Sequence, residues 1–168
     1  WNKVFNLISI KKPEEIITHH FLDCLAIVPY IEGKNILDVG SGAGLPGIII
    51  GLCCPDKNIT LVDSVGKKTT FLKQVCIELN LTNTMVIRNR VEKIETDILF
   101  DSIIARAFAE MQIFINLTAH LIEKKGNWYG MKSKKISTEE INANYIVEKK
   151  VITVPFLNAE RYLVKINA

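Results

Sequence analysis

A short apolar segment that runs directly into a glycine cluster limits this chain to a small group of architectures. Residues 35–39 have the composition of a buried strand, and Gly40-Ser41-Gly42-Ala43-Gly44 follows without a spacer. Glycines let the backbone turn sharply and let a ligand approach main-chain N–H groups. Pro46, just beyond the loop, suits the first turn of a helix. The segment predicts a nucleotide-binding strand, loop and helix, although such a loop is a weak signal by itself.

Strand and helix patterns alternate along the chain, which predicts a mainly parallel sheet with helices on both faces. Further strands are predicted at 59–63, 85–87, 101–105 and 128–131, and helices at 46–55, 67–81 and 111–122. Segments 151–154 and 162–166 predict a C-terminal antiparallel hairpin, and Ser137 with Glu140 predicts a capping box for a short helix.

The length of 168 residues predicts one domain, with 1–30 as its helical lead-in (clearest at 13–28) and 31–168 as its main body. Because the chain begins at Trp1 rather than at methionine, we expect a further segment before it. The apolar stretches are far shorter than the roughly 20 residues of a membrane span, so we expect a cytoplasmic protein without a membrane contact.

The cysteine spacing argues against a metal-binding protein, and the charge distribution is compatible with a partner that carries phosphate. Cys24, Cys53, Cys54 and Cys76 form no C-x-x-C pair, so we interpret them as buried small apolar residues and expect no metal site. The net charge is only +3, but residues 121–135 hold five lysines against Glu123 alone. Such a cluster suits attraction to phosphate, although a solvated basic rim explains it as well.

Two cofactor classes fit the glycine loop. Residues 42–47 satisfy the G-x-G-x-x-G pattern, in which a pyrophosphate sits at the start of a helix. Asp38, however, places a carboxylate near the loop, which repels pyrophosphate but suits a ligand with an ammonium and a sulfonium. Pro46 also removes one N–H donor from the helix start. These two residues favour S-adenosylmethionine over a nicotinamide dinucleotide.

Asp63 ends the second predicted strand about 20 residues beyond the loop, where an acidic side chain binds ribose hydroxyls. This feature fits either cofactor. Turn capping would also explain Asp38 and Asp63, but it is the less favoured interpretation for two aspartates in register.

The chain lacks the sequence marks of two common methylation chemistries. An exocyclic base amine usually requires an Asn/Asp-Pro-Pro-aromatic loop after the fourth strand, where this chain has Arg106-Ala107-Phe108-Ala109. A pyrimidine carbon requires a cysteine nucleophile, and Cys54-Pro55 lies at the end of a predicted buried helix. A nucleophile with a free lone pair, such as a purine ring nitrogen, remains, because alignment with the methyl donor supplies most of its rate.

An ordered series of motifs over nearly the whole chain resembles the bacterial 16S ribosomal RNA guanine-N7 methyltransferase family, also called glucose-inhibited division protein B. The matching pieces are residues 20–23, 36–47, 61–64, 106–109 and 160–164, with Trp1, Asn2, Asn6, Leu7, Lys67, Arg90, Val91, Glu92, Met131 and Lys132. The resemblance implies a class I S-adenosylmethionine-dependent methyltransferase (Rossmann-like) fold. It also implies methylation of guanine N7 in 16S ribosomal RNA, either free or within a small ribosomal subunit particle.

The resemblance implies that Gly40, Leu45, Val91, Glu92 and Arg106 contact the cofactor. The glycine loop and the two strand ends add Asp38, Gly42, Gly44 and Asp63 to this set of cofactor residues.

The acceptor side is predicted to carry three catalytic-site cations, Arg106, Lys132 and Arg161. Arg106 ends the fourth strand, where open α/β sheets bind ligands. Lys132 and Arg161 are assigned to RNA phosphate or guanine contact, although a general basic rim explains Lys132 equally well. For His20, helix packing is favoured over a substrate contact. The alternatives are a nicotinamide-dependent oxidoreductase and a non-catalytic RNA-binding module, and we expect a monomer.

Overall fold

The computed structural model describes residues 1–5, 7–10, 12–106, 110–133 and 141–168, which build a seven-stranded sheet. The strands are β1 (Asn35–Val39), β2 (Asn58–Asp63), β3 (Thr84–Arg88), β4 (Phe100–Arg106), β5 (Ile122–Lys132), β6 (Val147–Ile152) and β7 (Arg161–Asn167). Their order is β3-β2-β1-β4-β5-β7-β6, with β1 to β5 parallel and β7 antiparallel to both β5 and β6. The predicted mostly parallel sheet with an antiparallel C-terminal hairpin is confirmed.

Helices cover both faces of the sheet. The α-helices are α1 (Asn2–Phe5), α2 (Pro13–Ile16), α3 (Asp23–Leu25), α4 (Gly47–Cys53), α5 (Gly66–Glu78) and α6 (Met111–Thr118). A π-helical turn (Ile17–Leu22) joins α2 to α3, and 3-10 turns lie at Val28–Tyr30 and Val91–Lys93. One apolar core contains Cys24 of the lead-in with Ile50 of α4 and Leu72 of α5, whereas the other contains Phe114 of α6 with Trp128 of β5. None of the described helices is long and apolar enough to cross a membrane.

The central strand β1 explains why the sequence pattern was clear there. Ile36, Leu37, Asp38 and Val39 are each no more than 1% exposed, because neighbouring strands and both helix layers enclose them. A strand buried on both faces requires a continuous apolar run rather than alternation. The order of the sheet reverses beside β1, since β2 lies on one side and β4 on the other. Ligands of open α/β sheets bind at this reversal, at the carboxyl ends of the strands.

The prediction of a helix over 111–122 was wrong at its end, and the fifth strand begins earlier than predicted. Helix α6 ends at Thr118, whose hydroxyl donates a 2.7 Å hydrogen bond to the carbonyl of Phe114. Ile122 instead pairs with Phe100 of β4, and the register then shifts so that Ser102 pairs with Asn127. Sheet pairing therefore overrides the helical spacing of the apolar residues 121 and 122.

Two smaller expectations also need correction. Strand β6 spans Val147–Ile152 rather than the predicted 151–154. The prediction missed its first residues because β6 is an edge strand, and its charged residues 148–150 interrupt the apolar pattern. The four cysteines are free, but only Cys24 is buried; Cys53 is exposed at the end of α4, which turns Ile48 and Ile50 inward instead. The capping box of Ser137 and Glu140 lies outside the described residues.

Candidate active site

Two cavities open at the carboxyl edge of the sheet. The first, here called the loop cavity, has a volume of about 350 Å³. It is lined by Val39, Gly40, Val62, Asp63, Ser64, Val65, Lys68, Asn89, Arg90, Val91, Glu92 and Leu117. The second, here called the arginine cavity, has a volume of about 240 Å³. It is lined by His19, His20, Asp23, Ile27, Arg106, Met131, Lys132, Ser133, Ile152, Arg161 and Tyr162.

The glycine loop between β1 and α4 reaches the loop cavity through its first residue, Gly40. Gly40 has a φ of +67° and Gly44 a φ of +83°, in the left-handed region where a side chain is strained. A Cβ atom on Gly44 would also collide with Ile48 and Leu72. The backbone amide of Gly42 donates a 3.0 Å hydrogen bond to Asp63, so the loop is tied to the end of β2.

Asp38 lies beneath the loop and closes the start of α4. Its Oδ2 accepts a 2.8 Å hydrogen bond from the amide of Gly47, the first residue of the helix, while Pro46 is the N-cap residue. Among the described residues, its buried Oδ1 has no hydrogen-bond partner. Burial raises the pKa of Asp38 to about 7, against the opposing effect of the Gly47 amide. The helix N-terminus is therefore occupied by a carboxyl group, which disfavours a pyrophosphate there.

Asp63 projects into the loop cavity from the end of β2. Its Oδ2 accepts the Gly42 amide and its Oδ1 accepts the Val65 amide at 2.9 Å. Lys68 Nζ lies 3.5 Å from Oδ2 and adds a partly exposed ion pair. Each carboxylate oxygen has a second lone pair, so both can still accept a hydroxyl group. The turn-capping interpretation of Asp63 is therefore compatible with a ligand contact.

The 3-10 turn Val91–Lys93 supplies the opposite wall of the loop cavity. Val91 is 4% exposed and packs in the core beneath α6, whereas the Glu92 side chain is 38% exposed and its Oε1 lies 3.9 Å from Arg90 Nη1. Leu117 of α6 adds an apolar surface. The wall combines apolar surface with a carboxylate, which suits the flat face and the amine edge of a purine.

Arg106, at the end of β4, is held by three residues of the lead-in. Its Nη2 lies 2.9 Å from His20 Nδ1, and its Nη1 lies 3.7 Å from both Cys24 Sγ and Asp23 Oδ2. A guanidinium only donates hydrogen bonds, so Nδ1 of His20 accepts and the neutral ring carries its proton on Nε2. Burial and the charge of Arg106 lower the pKa of His20, which agrees with a neutral ring.

A second arginine of the arginine cavity is held by the same acidic residue. Arg161, the first residue of β7, donates from Nε to Asp23 Oδ1 at 3.0 Å. Burial raises the pKa of Asp23, and Arg161 and then Arg106 oppose that shift. Lys132, at the end of β5, lines the same cavity.

The structure divides the residues predicted from sequence into three groups. Gly40, Asp63, Val91 and Glu92 line the loop cavity, and Arg106, Lys132 and Arg161 line the arginine cavity. The remaining four, Asp38, Gly42, Gly44 and Leu45, build the loop and the packing beneath it but do not line either cavity.

Sequence reasoning assigned no role to Asp23 and favoured packing for His20. Both residues line the arginine cavity. Their spacing of three along a helical segment, which places two polar side chains on one face, was the available signal.

Comparisons with known proteins bear on the family and the fold of this chain. A family model described as GidB, rRNA small subunit methyltransferase G, matches residues 1–164. The chain is 43% identical to the ribosomal RNA small subunit methyltransferase G of Methylobacillus flagellatus over 166 residues, which is 98% of this chain and 80% of that protein.

Similar solved structures include a SAM-dependent methyltransferase from Aquifex aeolicus, with a TM-score of 0.66, 16% identity and 96% of each chain covered. The plantazolicin methyltransferase BpumL in complex with SAH gives a TM-score of 0.66 at 12% identity, with 92% of this chain and 86% of that chain covered. At these identities the structural likeness bears on the fold alone.

Proposed function

The chain belongs to the GidB family, rRNA small subunit methyltransferase G, and on this basis we propose that it methylates N7 of a guanine in 16S ribosomal RNA. It is an S-adenosylmethionine-dependent rRNA methyltransferase with the class I fold. The guanine N7 acceptor and the roles of individual residues are the proposed part, and they follow from the family resemblance and from the chemistry of the two cavities.

The residues of the loop cavity, together with Asp38 beneath the glycine loop, fit S-adenosylmethionine. Asp38 has a buried carboxyl oxygen without a partner among the described residues, at the loop where a cationic ligand would compensate it. Asp63 retains acceptor capacity for ribose hydroxyls, and Val91 with Glu92 offers an apolar wall and a polar edge for adenine. When bound, the cofactor supplies a methyl group on a sulfonium, which is a strong electrophile.

The observation that carries the proposed acceptor is the state of His20 and Asp23, the two ionisable residues of the arginine cavity that contact Arg106. His20 is neutral and accepts from Arg106, and Asp23 is ion-paired with Arg106 and Arg161. Each of these two potential bases is therefore already engaged by an arginine. Guanine N7 has a free lone pair and loses no proton when it is methylated, so this arrangement is sufficient for it. Its reaction depends mainly on alignment with the methyl donor.

The cations of the arginine cavity would hold the RNA. Arg106, Lys132 and Arg161 line the same cavity, and RNA presents phosphates and the O6 edge of guanine to such groups. Arg106 would serve both substrates, because β4 ends beside β1 at the point where the sheet order reverses. The chain's own contribution is thus binding, orientation and electrostatic neutralisation.

Four further properties belong to this proposal. The protein acts as a monomer in the cytoplasm, and residues 1–30 form part of the same domain as residues 31–168. Cys24 and Ile27 of the lead-in share an apolar core with Ile36 of β1, which supports the single domain. The acceptor is either free 16S RNA or a small-subunit particle.

The test is transfer of labelled methyl from S-adenosylmethionine to 16S RNA, and to small-subunit particles, that lack the modification. Mass mapping should find 7-methylguanosine at a single position, and RNA that already carries this modification should take up no label. A different methylated nucleoside would overturn the N7 assignment. Normal RNA binding without methyl transfer would instead favour the non-catalytic RNA-binding alternative.

A further inference from the structure

Asp23, near the start of the chain, joins Arg106 from the middle of the chain to Arg161 from its C-terminal part. Its Oδ1 accepts from Arg161 Nε at 3.0 Å, across 138 residues of sequence, and its Oδ2 lies 3.7 Å from Arg106 Nη1. Asp23 is 6% exposed, and the two arginine side chains are only 18% and 20% exposed. The three groups therefore form a largely buried arginine–aspartate–arginine bridge.

The charges of the three side chains explain why Asp23 lies between Arg106 and Arg161. Two guanidiniums in one small, partly desolvated cavity repel each other, and a buried carboxylate is costly unless it is paired. A carboxylate placed between them offsets both effects and limits where each guanidinium can lie. The contact with Arg161 is a charge-assisted hydrogen bond, the strong and directional type.

Asp23 is unsuited to bind RNA directly, because a carboxylate repels phosphate. We propose that Asp23 is the positioning residue of the RNA site: it sets the distance between Arg106 and Arg161 so that both can contact the same RNA segment. This inference rests on the proposed function. It also gives the lead-in a role, since helix α3, which begins at Asp23, fixes cations supplied by β4 and β7.

The two arginines differ in the number of other side chains that hold them, because His20 and Cys24 lie against Arg106. Both contact Arg106 as well, so Arg106 retains partners when Asp23 is changed. Arg161 depends more on Asp23, because its other hydrogen bond among the described residues is to the carbonyl of the adjacent Glu160. Loss of Asp23 should therefore affect RNA binding, through Arg161, more than cofactor binding.

The experiment is a double-mutant cycle of Asp23→Ala and Arg161→Ala, measured as the Kd for small-subunit RNA lacking the modification. We expect Asp23→Ala to weaken RNA binding about tenfold in the wild-type background, the size of one charge-assisted hydrogen bond. In the Arg161→Ala background it should weaken binding less than about twofold, because coupled residues are non-additive. The Kd for S-adenosylhomocysteine should change less than about threefold.

Asp23→Asn provides a second variant that keeps an acceptor for Arg161 and removes only the charge, which guards against a failure to fold. We expect a higher KM for RNA with a nearly unchanged KM for S-adenosylmethionine. Glu14→Gln, at an exposed carboxylate of the same lead-in, is the matched control and should behave as wild type.

Equal effects of Asp23→Ala in the two backgrounds, or wild-type RNA affinity in Asp23→Asn, would overturn the inference. Wild-type protein that neither binds nor methylates this RNA would overturn the proposed function, and the inference with it. Normal wild-type methylation with additive mutants would overturn the inference alone.

Discussion

Arg106 and His20 meet through a 2.9 Å contact between Nη2 and Nδ1, which joins the end of β4 to the turn of the lead-in. Because the arginine can only donate, the contact defines the tautomer of the imidazole. It also holds the guanidinium at the point where the sheet order reverses.

Arg106→Lys should lower methyl transfer by roughly 10- to 100-fold, which corresponds to about 1.5–3 kcal/mol for charged hydrogen bonds. A lysine ammonium is a compact point charge and cannot contact His20, Asp23 and Cys24 together. Initial rates with labelled S-adenosylmethionine measure the loss. Arg88→Lys, at an exposed arginine that lines neither cavity, should retain the wild-type rate; wild-type activity of Arg106→Lys would remove Arg106 from the site.

His20→Asn should reduce the loss of unfolding free energy that the wild-type protein shows as pH falls. The pKa of His20 is lowered in the folded protein, so its neutral form stabilises the fold fully above about pH 6.5, and that stability is lost as pH falls through the lowered value. Asparagine keeps an acceptor for Arg106 without titrating. Urea unfolding at pH 5 and pH 7.5 should show a smaller difference for His20→Asn than for wild type, and an equal difference would contradict the neutral-ring assignment.

Asp38→Asn should remove a loss of stability that the wild-type protein undergoes as pH rises. Burial raises the pKa of Asp38 to about 7 from 3.8, so its contribution to stability is present below about pH 4 and is lost as pH rises through about 7. The variant keeps an acceptor for the Gly47 amide. It should therefore gain stability relative to wild type between pH 5 and pH 8, by an amount on the order of a few kcal/mol. A pH-independent difference between the two proteins would contradict the assignment.

Asp63→Asn should weaken the binding of S-adenosylhomocysteine by roughly 10- to 100-fold, because hydrogen bonds to a charged acceptor contribute about 1.5–3 kcal/mol. Asparagine can accept from only one of the two amides that the carboxylate now holds, so the loop also loses a tether. Calorimetry measures the Kd. Asp56→Asn, at an exposed turn, is the control, and unchanged affinity in Asp63→Asn would exclude Asp63 from the cofactor site.

Gly44→Ala should lower the free energy of unfolding more than Gly42→Ala. Both positions have positive φ, which costs an alanine about 1–2 kcal/mol. At Gly44 the new methyl group also collides with Ile48 and Leu72, whereas at Gly42 it would lie 3.7 Å from the carbonyl oxygen of Gly40, an ordinary van der Waals distance. Overpacking adds about 1–3 kcal/mol at Gly44. Thermal and urea unfolding of the two variants provide the comparison, and equal losses would contradict the packing argument.

Local patterns predicted the elements whose burial is uniform. Strand β1 and the glycine loop were found at their observed positions, because every residue of 36–39 is enclosed and the pattern is continuous. Elements whose register depends on a distant partner were placed less well. The start of β5 at Ile122 depends on pairing with Phe100, and the edge strand β6 is obscured by its charges.

The sequence by itself determined the alternation of strands and helices, the glycine loop with Asp38 and Asp63, and the set of cations at the strand ends. These are properties of short segments: apolar spacing indicates the strands and helices, and the residues that follow each strand can be read from the sequence. Only the tertiary structure decided that Arg106 is hydrogen-bonded to His20 and that Asp23 lies between Arg106 and Arg161. Strand order and register bring β4, β7 and the lead-in together, and neither can be read from a segment in isolation.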